Sequence, residues 1–299
     1  MSGDLIALAA ALFWAVANLT IARGARSSAD NGAFLSILLT VGLSGAIWLG
    51  AGGLARTAEA AAAPSALAWF AVAGVLSLFF GRVFLHASIH WLGAVRGASI
   101  KRLAPFFSVL LAVLVLGERL TLPVVAGMLL IFGAFAVLVM EAGWPAAGGE
   151  PTRRINPGLW YGGISAFAYA AGNIARKWGL DELPDPTLGV FVSALAGALL
   201  FLATALAVRS YREAVVSTFT RFNGWLVVTG VLASLGQLLF FVALDRSTVT
   251  RVTLIVSCEV FITMALSAFL GSARERLTRP VLLAAALGFA GTVVIVAMR

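Results

Sequence analysis

Long apolar runs, each near the length of a membrane crossing, alternate along this chain with short polar breaks. A helix spans the hydrocarbon in about 20 residues. On that scale the pattern predicts ten helices, at residues 4–22, 32–53, 66–90, 96–116, 123–141, 158–178, 187–208, 223–244, 250–271 and 280–298. The polar breaks between them are too short to hold a soluble domain. The longest, 142–157 (AGWPAAGGEPTRRINP), is rich in Gly, Pro and charge and falls at the midpoint, where it reads as a linker between two five-helix halves. Asp4 stands where a secretory signal would carry basic residues, and no A-x-A cleavage site follows, so the first run is expected to persist as a helix.

Composition agrees with the pattern. Of 299 residues, 61% are hydrophobic and 11% charged, with a mean hydropathy of +1.00. Soluble domains carry roughly 25% charged residues, so a soluble enzyme, a nucleic-acid-binding domain and a disordered chain are all excluded. The fold class is an all-α polytopic membrane protein. The net charge of +8 comes from 19 Arg and two Lys, Lys101 and Lys177, scattered among short loops. Such scattering suits anchoring at lipid headgroups and forms no stripe for nucleic acid. The single cysteine, Cys258, lies in an apolar run, allows no intrachain disulfide and reads as a small buried hydrophobe.

The two halves repeat. Gly3 and Asn18 are 15 residues apart, as are Gly158 and Asn173, and an aromatic, Trp14 or Tyr169, precedes each Asn by four. Trp69 and Gly74 match Trp225 and Gly230 at a spacing of five. Gly117-Glu118-Arg119-Leu120-Thr121-Leu122-Pro123 matches Gly271 with Glu275-Arg276-Leu277-Thr278-Arg279-Pro280, the second copy carrying an inserted Ser272-Ala273-Arg274. An odd number of spans per repeat inverts one copy relative to the other. Inverted repeats are a transporter architecture with the substrate site at the midplane between the halves. The expected units are therefore residues 1–141 and 158–299, joined by 142–157, around a central cavity.

The repeat, with Ala104-Pro105-Phe106-Phe107-Ser108 and the G-E-R-L-T turn at 117–121, and Glu259-Val260-Phe261 with Glu275-Arg276-Leu277-Thr278, resembles the EamA family of the drug/metabolite transporter superfamily. The resemblance implies ten helices, a central cavity, alternating access, and export of amino acids or other small metabolites across the bacterial cytoplasmic (inner) membrane. The chain departs from the family at the Ser272–Arg274 insertion and at Lys101-Arg102, close to the usual proline. The G-E-R-L-T turns are read as structural, with Glu and Arg holding a helix end.

Let side B be the side of the N-terminus and side A the other. Side A then carries eleven Lys and Arg against seven on side B, Arg176 and Lys177 among them. That excess favours side A as cytoplasmic. The family resemblance implies cytoplasmic termini instead, and it is the reading adopted.

A charge at a helix centre costs about 2.5–3.5 kcal/mol on insertion scales, so each one inside a span marks a partner, water or a task. Glu259 lies near the middle of span 250–271. Arg82, His86 and His90 stack at i, i+4 and i+8 in span 66–90. Lys101 and Arg102 precede Pro105 by about one turn, and Pro105 is read as removing a helical hydrogen bond and bending the span. Three basic groups, two imidazoles and Asn18 would line a side-A vestibule above Glu259. Structural roles compete with this: Arg82 pairing with Glu259, Lys101 and Arg102 snorkelling to headgroups, and His86, Trp14 and Tyr169 simply packing. Gln237 is a hydrogen-bond donor to substrate or to a neighbouring helix. The candidate substrate residues are Trp14, Asn18, Arg82, His86, Lys101, Arg102, Tyr169, Asn173, Gln237 and Glu259, with Glu259 and His86 as candidate proton carriers.

The expected function is secondary transport of a small zwitterionic or anionic metabolite, amino acids favoured. A flippase or exchanger of phosphorylated or lipid-linked substrates is the alternative. No G-x-x-x-x-G-K-[ST] occurs, so no nucleotide cofactor is expected. The His86/His90 pair has no carboxylate or Cys in its span, so no metal is expected either. Ser257-Cys258-Glu259 is the nearest approach to a catalytic group and forms no constellation, so no enzyme is expected. The partners implied are the lipid bilayer and a small-molecule substrate. A monomer suffices, since both halves lie in one chain, and an oligomer is not excluded by it.

Overall fold

The computed structural model describes residues 2–24, 32–92, 100, 102–141, 157–221, 223–269 and 279–297, and every regular element among them is helical. In chain order the helices are α1 (Gly3–Gly24), α2 (Ala33–Gly50), α3 (Thr57–Ala62), α4 (Pro64–Gly74), α5 (Gly81–Leu92), α6 (Ala104–Leu116), α7 (Leu122–Glu141), α8 (Pro157–Glu182), α9 (Pro186–Ala207), α10 (Arg209–Thr220), α11 (Gly224–Arg246), α12 (Val249–Val256), α13 (Glu259–Phe269) and α14 (Arg279–Ala297). Six stretches among the described residues are long and apolar enough to cross a membrane, and Ala104–Leu116, Leu122–Leu138 and Leu282–Ala297 are shorter apolar helices. Helix α8 has 26 residues, with Arg176, Lys177, Asp181 and Glu182 gathered near its C-terminal end. The surface fits lipid: Leu114, Leu122, Met140, Leu206 and Val293 are largely exposed. Tryptophans gather at the two ends, with Trp91, Trp160 and Trp225 exposed at one and Trp69 against Trp178 at the other. Trp160 and Trp178 lie 18 residues apart on α8, about 27 Å along the axis, close to the hydrocarbon thickness.

Three of the predicted spans are interrupted. The third runs through α4, a π-helical turn at Val75–Phe80, and α5. The repeat shows the consequence in its register. The copies are offset by 156 residues at Trp69/Trp225 and Gly74/Gly230, but by 155 at Gly81/Gly236. A π turn closes i→i+5, so it holds the one extra residue that the first copy contains. The fourth and ninth spans break at corresponding places. Arg102–Leu103 forms a turn before α6, and Ser257–Cys258 a turn between α12 and α13. This corrects the reading of Pro105, which sits in the first turn of α6, where a missing N–H removes no intrahelical bond. The bend belongs to the turn preceding it.

A further helix, α10, stands where only a loop was expected. It is amphipathic: Ala214 and Tyr211 pack on Phe34 and Phe201, while Arg209 and Phe219 face outward. This arrangement suits the headgroup boundary.

Corresponding helices of the two halves meet antiparallel. On α2 and α9, Phe34 stacks on Phe201 at one end and Trp48 bonds Asp185 at the other. On α7 and α14, Gly127 meets Ile295 while Ile131 meets Gly291, and an added Cβ at either glycine would collide with the other's carbonyl. Helix α1 packs along α11, from Gly3 beside Ser247 through Trp14 beside Gly236 to Thr20 bonded to Thr229. Its counterpart α8 packs along α4–α5 in the same sense, from Gly179 beside Phe70 through Tyr169 beside Gly81 to Gly158, whose carbonyl accepts a bond from Ser88. The small-residue step Gly158-x-x-x-Gly162 thus lies in a close helix contact, with Ser88 and Ile100 against Gly162.

Candidate functional site

Helix α8 brings the most costly group into the interior. Arg176 is 95% buried, and among the described residues no carboxylate pairs with it. A long basic side chain near a span end ordinarily snorkels outward to the headgroups. Arg176 runs the other way, back along α8. Its Nη1 donates to Asn173 Oδ1 at 2.5 Å and its Nη2 to Ser77 Oγ at 2.8 Å. Asn173 Nδ2 in turn donates to Ser108 Oγ at 3.2 Å. The guanidinium carbon lies 5.6 and 5.4 Å from the ring centres of Phe240 and Phe241, whose faces offset part of the desolvation cost. Nε is buried without a partner.

Each element supplies its part for a local reason. Ser77 stands in the π turn, whose extra residue changes the register of this helix against α8. Its hydroxyl donates to Ala73 O and so presents a lone pair to Arg176. At Gly172 an added Cβ would lie 2.2 Å from Ser77 Oγ, so glycine lets the two helices close. Ser108 comes from α6, just past the break in the fourth span, and Phe240 and Phe241 from α11.

The sequence-predicted residues fall into three groups. Asn173 is in the cluster itself. Tyr169 lies one turn along α8 against Gly81, and Trp14 occupies the corresponding place against Gly236, bonding Ala233 O and packing on Phe240. Gln237 is half-buried one turn from Phe241, with no hydrogen-bond partner among the described residues. A second group lies apart from the cluster. Arg82 donates to Ala33 O at 3.0 Å, anchoring the start of α2, and forms no ion pair with Glu259. Asn18 is exposed, Arg102 half-buried in its turn, and Glu259 half-buried at the first position of α13. Lys101 and the side chains of His86 and His90 lie outside the described residues, as does the stretch 270–278 with Glu275 and its insertion. Of the expected side-A vestibule, the described residues therefore place only Arg82, Arg102, Asn18 and Glu259.

Sequence reasoning missed Arg176 by counting it as a side-B loop charge. Its removal leaves six on that side, which widens the side-A excess. A signal was available: α1 reads Asn18-Leu-Thr-Ile21 where α8 reads Asn173-Ile-Ala-Arg176, so the cation stands where its counterpart is apolar.

Side B also holds a cleft of about 560 Å³, lined in part by Glu118, Lys177, Trp178, Asp181 and Asp245. It opens one turn outside Phe241 and Arg176. Around it the halves are tied by charge. Glu118 accepts the backbone N–H groups of Val249 and Thr250 at 2.6 and 2.9 Å, so the G-E-R-L-T turn caps a helix of the other half. Arg251 pairs with buried Asp4 at 2.7 Å and also bonds Ile295 O. Asp185 gathers Arg56, Trp48 and the N-terminus of α9.

The chain matches the EamA-like transporter family over residues 1–140 and 156–297. A solved structure named only "Crystal structure of protein" superimposes with a TM-score of 0.67 over 99% of each chain, at 20% identity, a likeness of fold. A search of curated proteins gives no match. With both halves matched, this multi-pass integral membrane protein belongs to the EamA-like transporter family, and its task is transport of a small molecule across a lipid bilayer, not enzymatic catalysis.

Proposed function

We propose that the chain is a secondary transporter that exports small zwitterionic or anionic metabolites, amino acids foremost, across the bacterial cytoplasmic membrane by alternating access. Ten crossings would form two inverted halves, residues 1–141 and 158–299, joined by 142–157. The antiparallel meeting of corresponding helices carries this reading. Elements related by a twofold axis in the membrane plane run in opposite directions where they meet. Two near-equivalent halves can exchange conformations, which opens the opposite side at little net cost. The corresponding breaks at 102–103 and 257–258 add the discontinuous helices that build midplane sites in such folds.

In this reading Trp14 and Tyr169 pack against the side chain of the cargo, while Asn173 and Gln237 bond its polar atoms. Glu259, at the N-terminus of a half-helix, and His86 are the groups to carry a coupling proton. Counterflow in proteoliposomes of the purified protein tests it. Labelled neutral and aromatic amino acids would be compared with dicarboxylic and phosphorylated anions, without an imposed ion gradient. Exchange of amino acids is expected. Exchange of the anions alone would discard the amino-acid assignment, and no exchange of either class would discard the cargo class.

A further inference from the structure

We infer that Arg176, with Asn173 and Ser77, is the carboxylate-recognition subsite of the transport pathway, entered from the side-B cleft. This rests on the transporter reading above and names the atoms that would hold the anionic group of the cargo. A buried cation without a counter-anion is costly unless something compensates it. Here two neutral oxygens and two phenyl faces hold the guanidinium, and its Nε–H is left with no acceptor. A fixed internal carboxylate would have been the stabilising choice for a purely structural arginine. No described carboxylate pairs with Arg176, and Asp181 and Asp245 line the cleft outside it. Asp181 is already paired with Lys177 at 2.9 Å.

An arriving carboxylate supplies the missing charge. It takes the free Nε–H and the adjoining edge of the fork that Ser77 now occupies, the bidentate geometry in which arginine excels. Asn173 holds the opposite edge and orients the plane. Gln237, one turn deeper on the face that carries Phe241, offers a second polar contact. Lys177, which lines the cleft, donates its Nζ to Leu244 O and so ties α8 to α11 beside Arg176. A ligand reaches Arg176 when that contact parts, so the state described is closed over the subsite. Ser77 lies in a π turn that the second half lacks, so the site is single although the fold is doubled.

The test is counterflow by wild type, Arg176→Met, Arg176→Lys and Asn173→Ala. The probes are leucine, phenylalanine and succinate, each competed by itself, with isoamylamine and phenethylamine as decarboxylated competitors for the two amino acids. Arg176→Met should raise the half-saturation for the carboxylate about 10- to 100-fold. It should leave maximal exchange within a few-fold and shrink the preference of an amino acid over its amine. Arg176→Lys, which keeps the charge without the fork, should fall between. Thermal unfolding in detergent reports whether each variant is folded. If Arg176→Met fails to fold, the half-saturation and discrimination of Arg176→Lys decide. Lower maximal exchange with unchanged half-saturation and unchanged discrimination would make Arg176 a structural clamp and overturn the inference. A wild type that exchanges none of the probes would overturn it too, but by removing the cargo class on which it rests.

Discussion

At the scale of single residues, the energetics turn on where each charge finds its partner. Asp4 is 2% exposed and held by Arg251 and by the hydroxyl of Ser247. Breaking one member of such a buried pair leaves the other uncompensated. Asp4→Asn should therefore cost on the order of 3 kcal/mol and lower the unfolding temperature in detergent by several degrees, whereas Asp4→Asn with Arg251→Met should recover part of that loss. Equal destabilisation by the single and double variants would show that the pair does not act as a unit. Arg82 teaches the converse. It sits in an apolar span, and its guanidinium reaches the first carbonyl of α2 and not Glu259. Linear hydropathy registers the presence of a charge and is blind to the direction of its stem.

Among the elements, the closest helix contacts depend on glycines facing aromatics. Gly236 lies against Trp14 so tightly that an added Cβ would approach Cδ1 to 2.7 Å, and Gly81 stands in the same relation to Tyr169. Gly236→Leu should force α1 and α11 apart, costing about 1–3 kcal/mol through overpacking. Thermal unfolding would show the loss, and combining it with Trp14→Ala should restore much of the stability. If the double variant is no more stable than the single one, the contact is not what limits the approach. The matched aromatics were legible as a repeat from their spacing to Asn18 and Asn173. Their glycine partners were not, because Gly81 and Gly236 fall into register only once the π turn is allowed for.

Across the whole molecule, antiparallel packing fixes which loops share a side. Ser2, Glu59 and Asp181 belong to the end where Trp69 meets Trp178, and Arg212 of α10 to the opposite end. Cysteines introduced singly at these four positions should divide three to one in labelling by a membrane-impermeant maleimide in intact cells. The native Cys258 is fully buried and should stay unreacted. Labelling of Arg212→Cys from the same side as Ser2→Cys would contradict the topology. The side that reacts also decides the orientation on which basic-residue counting and family resemblance disagree.

Sequence alone determined the all-helical membrane class, most of the apolar helical stretches and the duplication. Those depend on quantities local to the chain: the length of apolar runs, the Gly and Pro that end them, and spacings that repeat. Tertiary structure decided which charges lie inside and what they face. Arg176 entered the interior because α8 turns that face toward Ser77, Phe240 and Phe241, residues 99 or fewer positions away in sequence but on two other helices. Glu118 became a cap for Val249 because the fold brings the two halves together at that end. Burial and partnership are properties of the neighbours a residue acquires, and the apolar pattern of a single span carries no record of them.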